Sequence, residues 1–263
     1  MRRRFGQALR LGVSNAGIAL VKTSRWGGER AAVVAEHTFT QGAGAQQVAD
    51  GLRALLGDGS WSRWPVRVVI ADELARTWQV SPPSETARMA DLEAAAALRF
   101  QQLYGEPAAG WQLAGSWDPS SAFTAAALPR ALNDALAQAA AEHRLALVEV
   151  VPQFLAGWNR WCQLIAPDAW YGLVHDGVVT FGIPAGASLG AVRAAQVPAG
   201  ADARWLEAHA AREALRLGVP APARLQLSGQ VPEAWSGADV AVLDETSPEW
   251  TAAAALAITG SRA

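Results

Sequence analysis

The chain of 263 residues contains one cysteine, Cys162, which excludes an internal disulfide and a thiolate metal cluster and fits a reducing compartment. Lysine is as scarce, with Lys22 alone among many arginines. The formal net charge of -2 leaves no electrostatic footprint for nucleic acid or an acidic membrane surface. Long apolar runs are missing too. The alanine-rich stretches are broken by Arg, Asp and Glu before they reach membrane-spanning length, and Met1-Arg2-Arg3-Arg4 leads into no apolar core of signal-peptide length. No direct membrane insertion is expected.

The common catalytic signatures are also absent. There is no G-x-x-x-x-G-K-[ST] phosphate loop, no G-x-S-x-G elbow and no H-E-x-x-H pair. The four histidines, His37, His143, His175 and His209, lack ligand spacing, and zinc needs three or four convergent ligands, so no metal is expected.

What the chain does have is a clear opening pattern. Leu9, Leu11 and Val13 alternate with Arg10 and Gly12, Ser14-Asn15-Ala16-Gly17 supplies turn chemistry, and Ile18, Leu20 and Lys22 begin a second alternating run. This predicts a hairpin. Its turn can converge backbone N–H groups on a phosphate or serve as an ordinary connection. A Gly27-Gly28 turn, a third strand over 30–39, a helix over 46–56 stopped by Gly57-Asp58-Gly59, and the apolar run 66–72 after Pro65 follow. The last reads as a central strand buried on both faces.

Between Leu74 and Leu128 the pattern becomes strand (76–80), Pro82-Pro83 break, long helix (85–104) and two strands (111–117 and 122–128). That β-α-β-β unit reads as a separable insertion. In its helix Met89, Leu92, Ala96, Leu98, Phe100 and Leu103 gather towards one side. Pro129 suits a first helical turn, and helix, strand (145–151) and helix (152–165) close a first lobe near residue 166.

The remainder repeats the opening. Strand, a His175-Asp176-Gly177 turn, strand and a third strand (188–197) are followed by a helix (201–217), a strand ending at Ser228-Gly229, another strand (239–243) and a closing helix (248–258). His175-Asp176 could be an acid–base pair only beneath a bound substrate; Asp-Gly at a turn already has a structural explanation. Tryptophan stands out at 12 residues against 6 Phe and 2 Tyr. Trp61, Trp64 and Trp78 lie in or near loops, where an indole serves either the core or a partner surface.

This order of elements resembles the actin-like (ribonuclease H-like) two-lobe α/β fold. Its β-α-β-β insertion in the first lobe resembles the PilM-type pilus assembly proteins and the cytoplasmic region of GspL-type secretion proteins. The resemblance implies a first lobe over 1–166 with an inserted subdomain over 74–128, and a second lobe over 167–263. It places phosphate loops at Ser14, Asn15 and Gly17 and at Asp176 and Gly177, and an adenosine-side turn at Ser228 and Gly229. Two departures bear on ATP: Ser14-Asn15 stands where active members carry a metal-orienting aspartate, and the second loop has one glycine where they have a glycine-rich run. No carboxylate is then in place to hold Mg²⁺ or orient water, so catalysis and a required cofactor are not expected. The implied role is a non-catalytic cytoplasmic scaffold, peripheral to the inner membrane, that binds the cytoplasmic tail or domain of a pilus or type II secretion membrane protein. Trp78, Pro82 and Pro83 would rim the tail-binding groove. A nucleotide-dependent enzyme of the same fold, an ATPase or kinase relative, is the alternative.

Overall fold

The computed structural model describes residues 6–25, 31–40, 42, 44–57, 61–83, 88–186, 188–237, 239–245 and 249–261. The Gly27-Gly28 turn, the Asp58-Gly59 stop, the expected helix start at Glu85 and Pro248 lie outside these residues. The chain packs as two compact units, Met1–Ala156 with Thr251–Ala263, and Gly157–Trp250.

The first unit is built on β1 (Gln7–Val13), β2 (Gly17–Ser24), β3 (Ala31–Thr38), β4 (Pro65–Ile70) and a later strand, β8 (Ala146–Pro152), in the sheet order β3-β2-β1-β4-β8. The first three strands run antiparallel; β4 and β8 run parallel to β1. Helices α1 (Ala45–Leu56) and α3 (Arg130–Glu142) cover the face carrying Leu9, Leu11 and Val13. Trp61 and Trp64 belong to this core, not to a partner surface. They are 8% and 1% exposed, their rings meet edge to face, and Trp61 Nε1 donates to the Leu56 carbonyl at the end of α1.

Between β4 and α3 the chain forms a separate three-stranded sheet, β5 (Arg76–Val80), β7 (Phe123–Pro129) and β6 (Trp111–Gly115), with β7 central. Helix α2 (Met89–Tyr104) packs on it through Leu92, Ala96 and Phe100, an i, i+4, i+8 stripe. The broader apolar face read from sequence is corrected: Met89, Leu98 and Leu103 are exposed, because only the stripe of period four meets the sheet.

The second unit receives α4 (Gln153–Trp161) from the first and forms β9 (Ala169–His175), β10 (Val178–Ala185), β11 (Ser188–Gln196), α5 (Ala203–Leu217), β12 (Arg224–Gly229) and β13 (Val240–Glu245). Its sheet order, β11-β10-β9-β12-β13, repeats that of the first unit, again with three antiparallel strands followed by two parallel ones.

The last helix, α6 (Ala252–Ile258), does not close the second unit. It lies on the first sheet, where Leu256 joins Val69 and Ala71. Packing therefore divides the chain at 156/157 and returns the C-terminal segment to the first unit, in place of one cut at 166/167. Gly12 makes this possible: a Cβ there would stand 2.2 Å from the Ala253 carbonyl oxygen and 2.7 Å from the Ala257 nitrogen. Arg10, on the same face of β1, donates from Nε to the Ala257 carbonyl (2.6 Å) and from Nη2 to the Thr259 carbonyl (2.7 Å). A guanidinium thus caps the carbonyl end of α6 and opposes its dipole.

Candidate functional site

The turn between β1 and β2 satisfies its own backbone. Ser14, buried at the end of β1, accepts from the N–H groups of Ala16 and Gly17 through Oγ, each at 3.3 Å, and its N–H donates to the Gly17 carbonyl at 2.9 Å. The Asn15 N–H donates to Glu73 Oε1 at 2.8 Å. Glu73 sits in the single 3-10 turn Asp72–Leu74 that follows β4. All three amides that could cradle a phosphate, those of residues 15, 16 and 17, therefore already hold an oxygen of the protein, and one of those oxygens is a carboxylate's. An incoming anion would have to displace a charge-assisted hydrogen bond and face Glu73 itself. Gly17 is needed for a different reason: a Cβ would meet the His37 carbonyl of β3 at 2.6 Å.

Beside Glu73, both carboxyl oxygens of Asp72 lie 3.1 Å from the N–H of Phe154, at the start of α4. Burial pushes the Asp72 carboxyl up to about 7, against the Phe154 N–H that favours its ionised form and with the help of the Glu73 charge. Gln153, also buried, donates from Nε2 to Thr259 Oγ1 at 3.3 Å. Ser14, Asp72, Glu73 and Gln153 thus gather at the carboxyl ends of the parallel strands β1, β4 and β8, the place where α/β sheets take ligands. Sequence reading placed Ser14 there and missed the other three. The available signal was a pair of carboxylates directly after a buried strand.

In the second unit, Asp176 (φ 47°) and Gly177 (φ 71°) form the two-residue turn between β9 and β10. The Asp176 N–H donates to Gln230 Oε1 at 3.1 Å, so this turn too spends an amide internally. Burial lowers the neighbouring His175, with the Asp176 charge opposing. Ser228 and Gly229 lie alongside as the last two residues of β12, paired with β9 and β13, in place of the expected turn. The Ser228 hydroxyl is buried 2.7 Å from the Tyr171 hydroxyl, and Gly229, at φ 92°, passes so close to β9 that a Cβ would meet the Val174 carbonyl at 2.3 Å. The fold brings Asp176 and Gly177 together with Ser228 and Gly229, and each has a structural task there.

The expectation of an exposed aromatic rim is corrected at Trp78. The residue is 5% exposed, its ring lies 5.2 Å from Phe100 and 6.2 Å from Tyr104, and Nε1 has no acceptor among the described residues. Trp78 alternates inward on a strand whose other face is covered less, so its indole belongs to the core between the three-stranded sheet and α2. Pro82 and Pro83 follow β5, half-buried and exposed. Among the described residues, no three His, Cys, Asp or Glu side chains converge as a metal site.

No protein-family model and no curated protein sequence matches the chain. Solved structures do. The cytoplasmic domain of EpsL, an inner-membrane component of the type II secretion system of Vibrio cholerae, aligns over 95% of this chain and 92% of that one, at 16% identity and a TM-score of 0.58. A Bacteroides thetaiotaomicron protein of actin-like ATPase fold and unknown function aligns over 87% and 84%, at 10% identity and a TM-score of 0.56. With its two sheets of like order and these two near-full-length matches, the chain has the actin-like ATPase fold.

Proposed function

We propose that this chain is a non-catalytic actin-like scaffold of a bacterial type II secretion or type IV pilus inner-membrane platform, binding the cytoplasmic tail of a membrane partner. One observation carries the reading: the loop that would grip a phosphate has its amides filled by Ser14 Oγ and the Glu73 carboxylate. Likeness to the EpsL cytoplasmic domain supports the choice of system. No helix among the described residues is long and apolar enough to cross a membrane.

The three-stranded insertion offers a docking surface. Strand β5 lies at the edge of its sheet, paired on one side with β7, and runs out into Ser81-Pro82-Pro83. An extended tail can add main-chain hydrogen bonds along such an edge, with weak dependence on salt. The test uses the purified cytoplasmic tails of any single-span membrane proteins encoded beside this chain. The intact protein should bind one of them, and a variant with residues 74–128 replaced by a short Gly-Ser bridge should fold cooperatively and bind none. Undiminished binding by the deletion variant would contradict the docking surface.

A further inference from the structure

Arginines collect at the other end of the first sheet from the loop site. A cavity of about 350 Å³ opens there, lined by the starts of β1 and β4, the end of β2 and the segment just after α6, with Arg10, Arg25 and Arg67 in its wall. Its remaining lining is small, aliphatic or hydroxylated, including Ala8, Thr23, Pro65 and Val148 of β8, and contains no carboxylate among the described residues. We propose that this cavity is a binding site for a small oxyanion-bearing ligand, whose phosphoryl or carboxylate head is held by the Arg10 and Arg67 guanidiniums.

The charge arrangement supports this. Arg10 is buried and spends Nε on the Ala257 carbonyl and Nη2 on the Thr259 carbonyl at the end of α6, and among the described residues no hydrogen bond is assigned to Nη1. Those carbonyls form the negative end of a short helix, and a full guanidinium charge exceeds the roughly half-charge of a helix terminus. Arg67 is exposed at the rim, and Glu149 stands 3.9 Å away with both side chains about half open to water. The two arginines work against each other: burial and then Arg67 push Arg10 down to about 10, and Glu149 restores only part of that. An anion between them would relieve the repulsion in a partly enclosed space, where a paired charge is screened less than at the surface. The volume is that of a small-molecule pocket. Arginine forks also match both candidate heads in geometry.

Titration of the full chain at low salt with pyrophosphate and, separately, glutarate tests the site, read by backbone amide NMR. The expected result is saturable binding of at least one probe, with shifts at Ala8, Thr23 and Gly260. The tighter probe identifies the head as phosphoryl or carboxylate. Arg67→Gln should weaken binding about fivefold or more, as losing one charge-assisted contact does. Arg53→Gln, which removes the same charge beside Glu142 elsewhere in the unit, should leave binding unchanged. The proposal is overturned if neither probe saturates, if both variants lose affinity equally, or if the shifts fall on Ser14–Gly17. That last pattern would count instead against the closed phosphate loop.

Discussion

Asp72 carries the clearest pH signature of any single residue. Its carboxyl keeps a proton in the folded state up to about 7, while the unfolded chain releases it near 3.8. The folded state then binds more protons than the unfolded one between those values, so this group makes stability fall as pH rises from about 4 to about 7 and leaves it flat above. Its size is no more than about 4 kcal/mol. Asp72→Asn keeps an oxygen for the Phe154 N–H and loses the titration. Denaturant unfolding at several pH values should show the variant gaining on the native protein across that window; a difference independent of pH would remove Asp72 from the account. Trp78 gives a second residue-scale outcome. Trp78→Ala should cost about 3–5 kcal/mol, as for other buried indoles, whereas Trp78→Phe should cost less than about 2, since it also removes a donor with no partner. If Trp78→Ala leaves the melting temperature unchanged, the indole is not core.

Among the elements, α6 shows where local pattern stops being informative. The alternation of Leu9, Leu11 and Val13 announced β1 and its buried face, and Asp-Gly announced the β9–β10 turn, because both signals lie within a few residues. The destination of α6 depends on Gly12 and Arg10, some two hundred and fifty residues away along the chain, and a Gly and an Arg on a strand read locally as its polar side. Glu73 was invisible for the same reason: its partner Asn15 is 58 residues distant and offers only a backbone N–H, which no side-chain motif records. Trp61 and Trp64 stay open between core and partner surface in the sequence because a loop position fits either, and the edge-to-face pair lies buried at the end of α1. Gly12→Ala tests the element directly. The added methyl would strike backbone atoms of α6, so a loss of at least about 1–3 kcal/mol is expected, with faster amide exchange concentrated in α6. Unchanged exchange in α6 would show that the helix is not held by this approach.

For the whole molecule, two units of one topology are joined in an actin-like fold, and the first carries a loop stoppered by its own side chains. In proteins that bind a nucleotide in the native state, the ligand raises the melting temperature through mass action. Here the amides of residues 15–17 are occupied and the carboxylate nearest them, Glu73, is spent on the Asn15 N–H, so the scaffold reading allows no such gain. The most direct measurement is thermal unfolding of the unaltered chain with and without millimolar Mg²⁺-ATP. An unchanged melting temperature is the predicted result; a saturable rise of several degrees that disappears when Asp176 is replaced would contradict it and turn the reading towards a nucleotide-dependent enzyme.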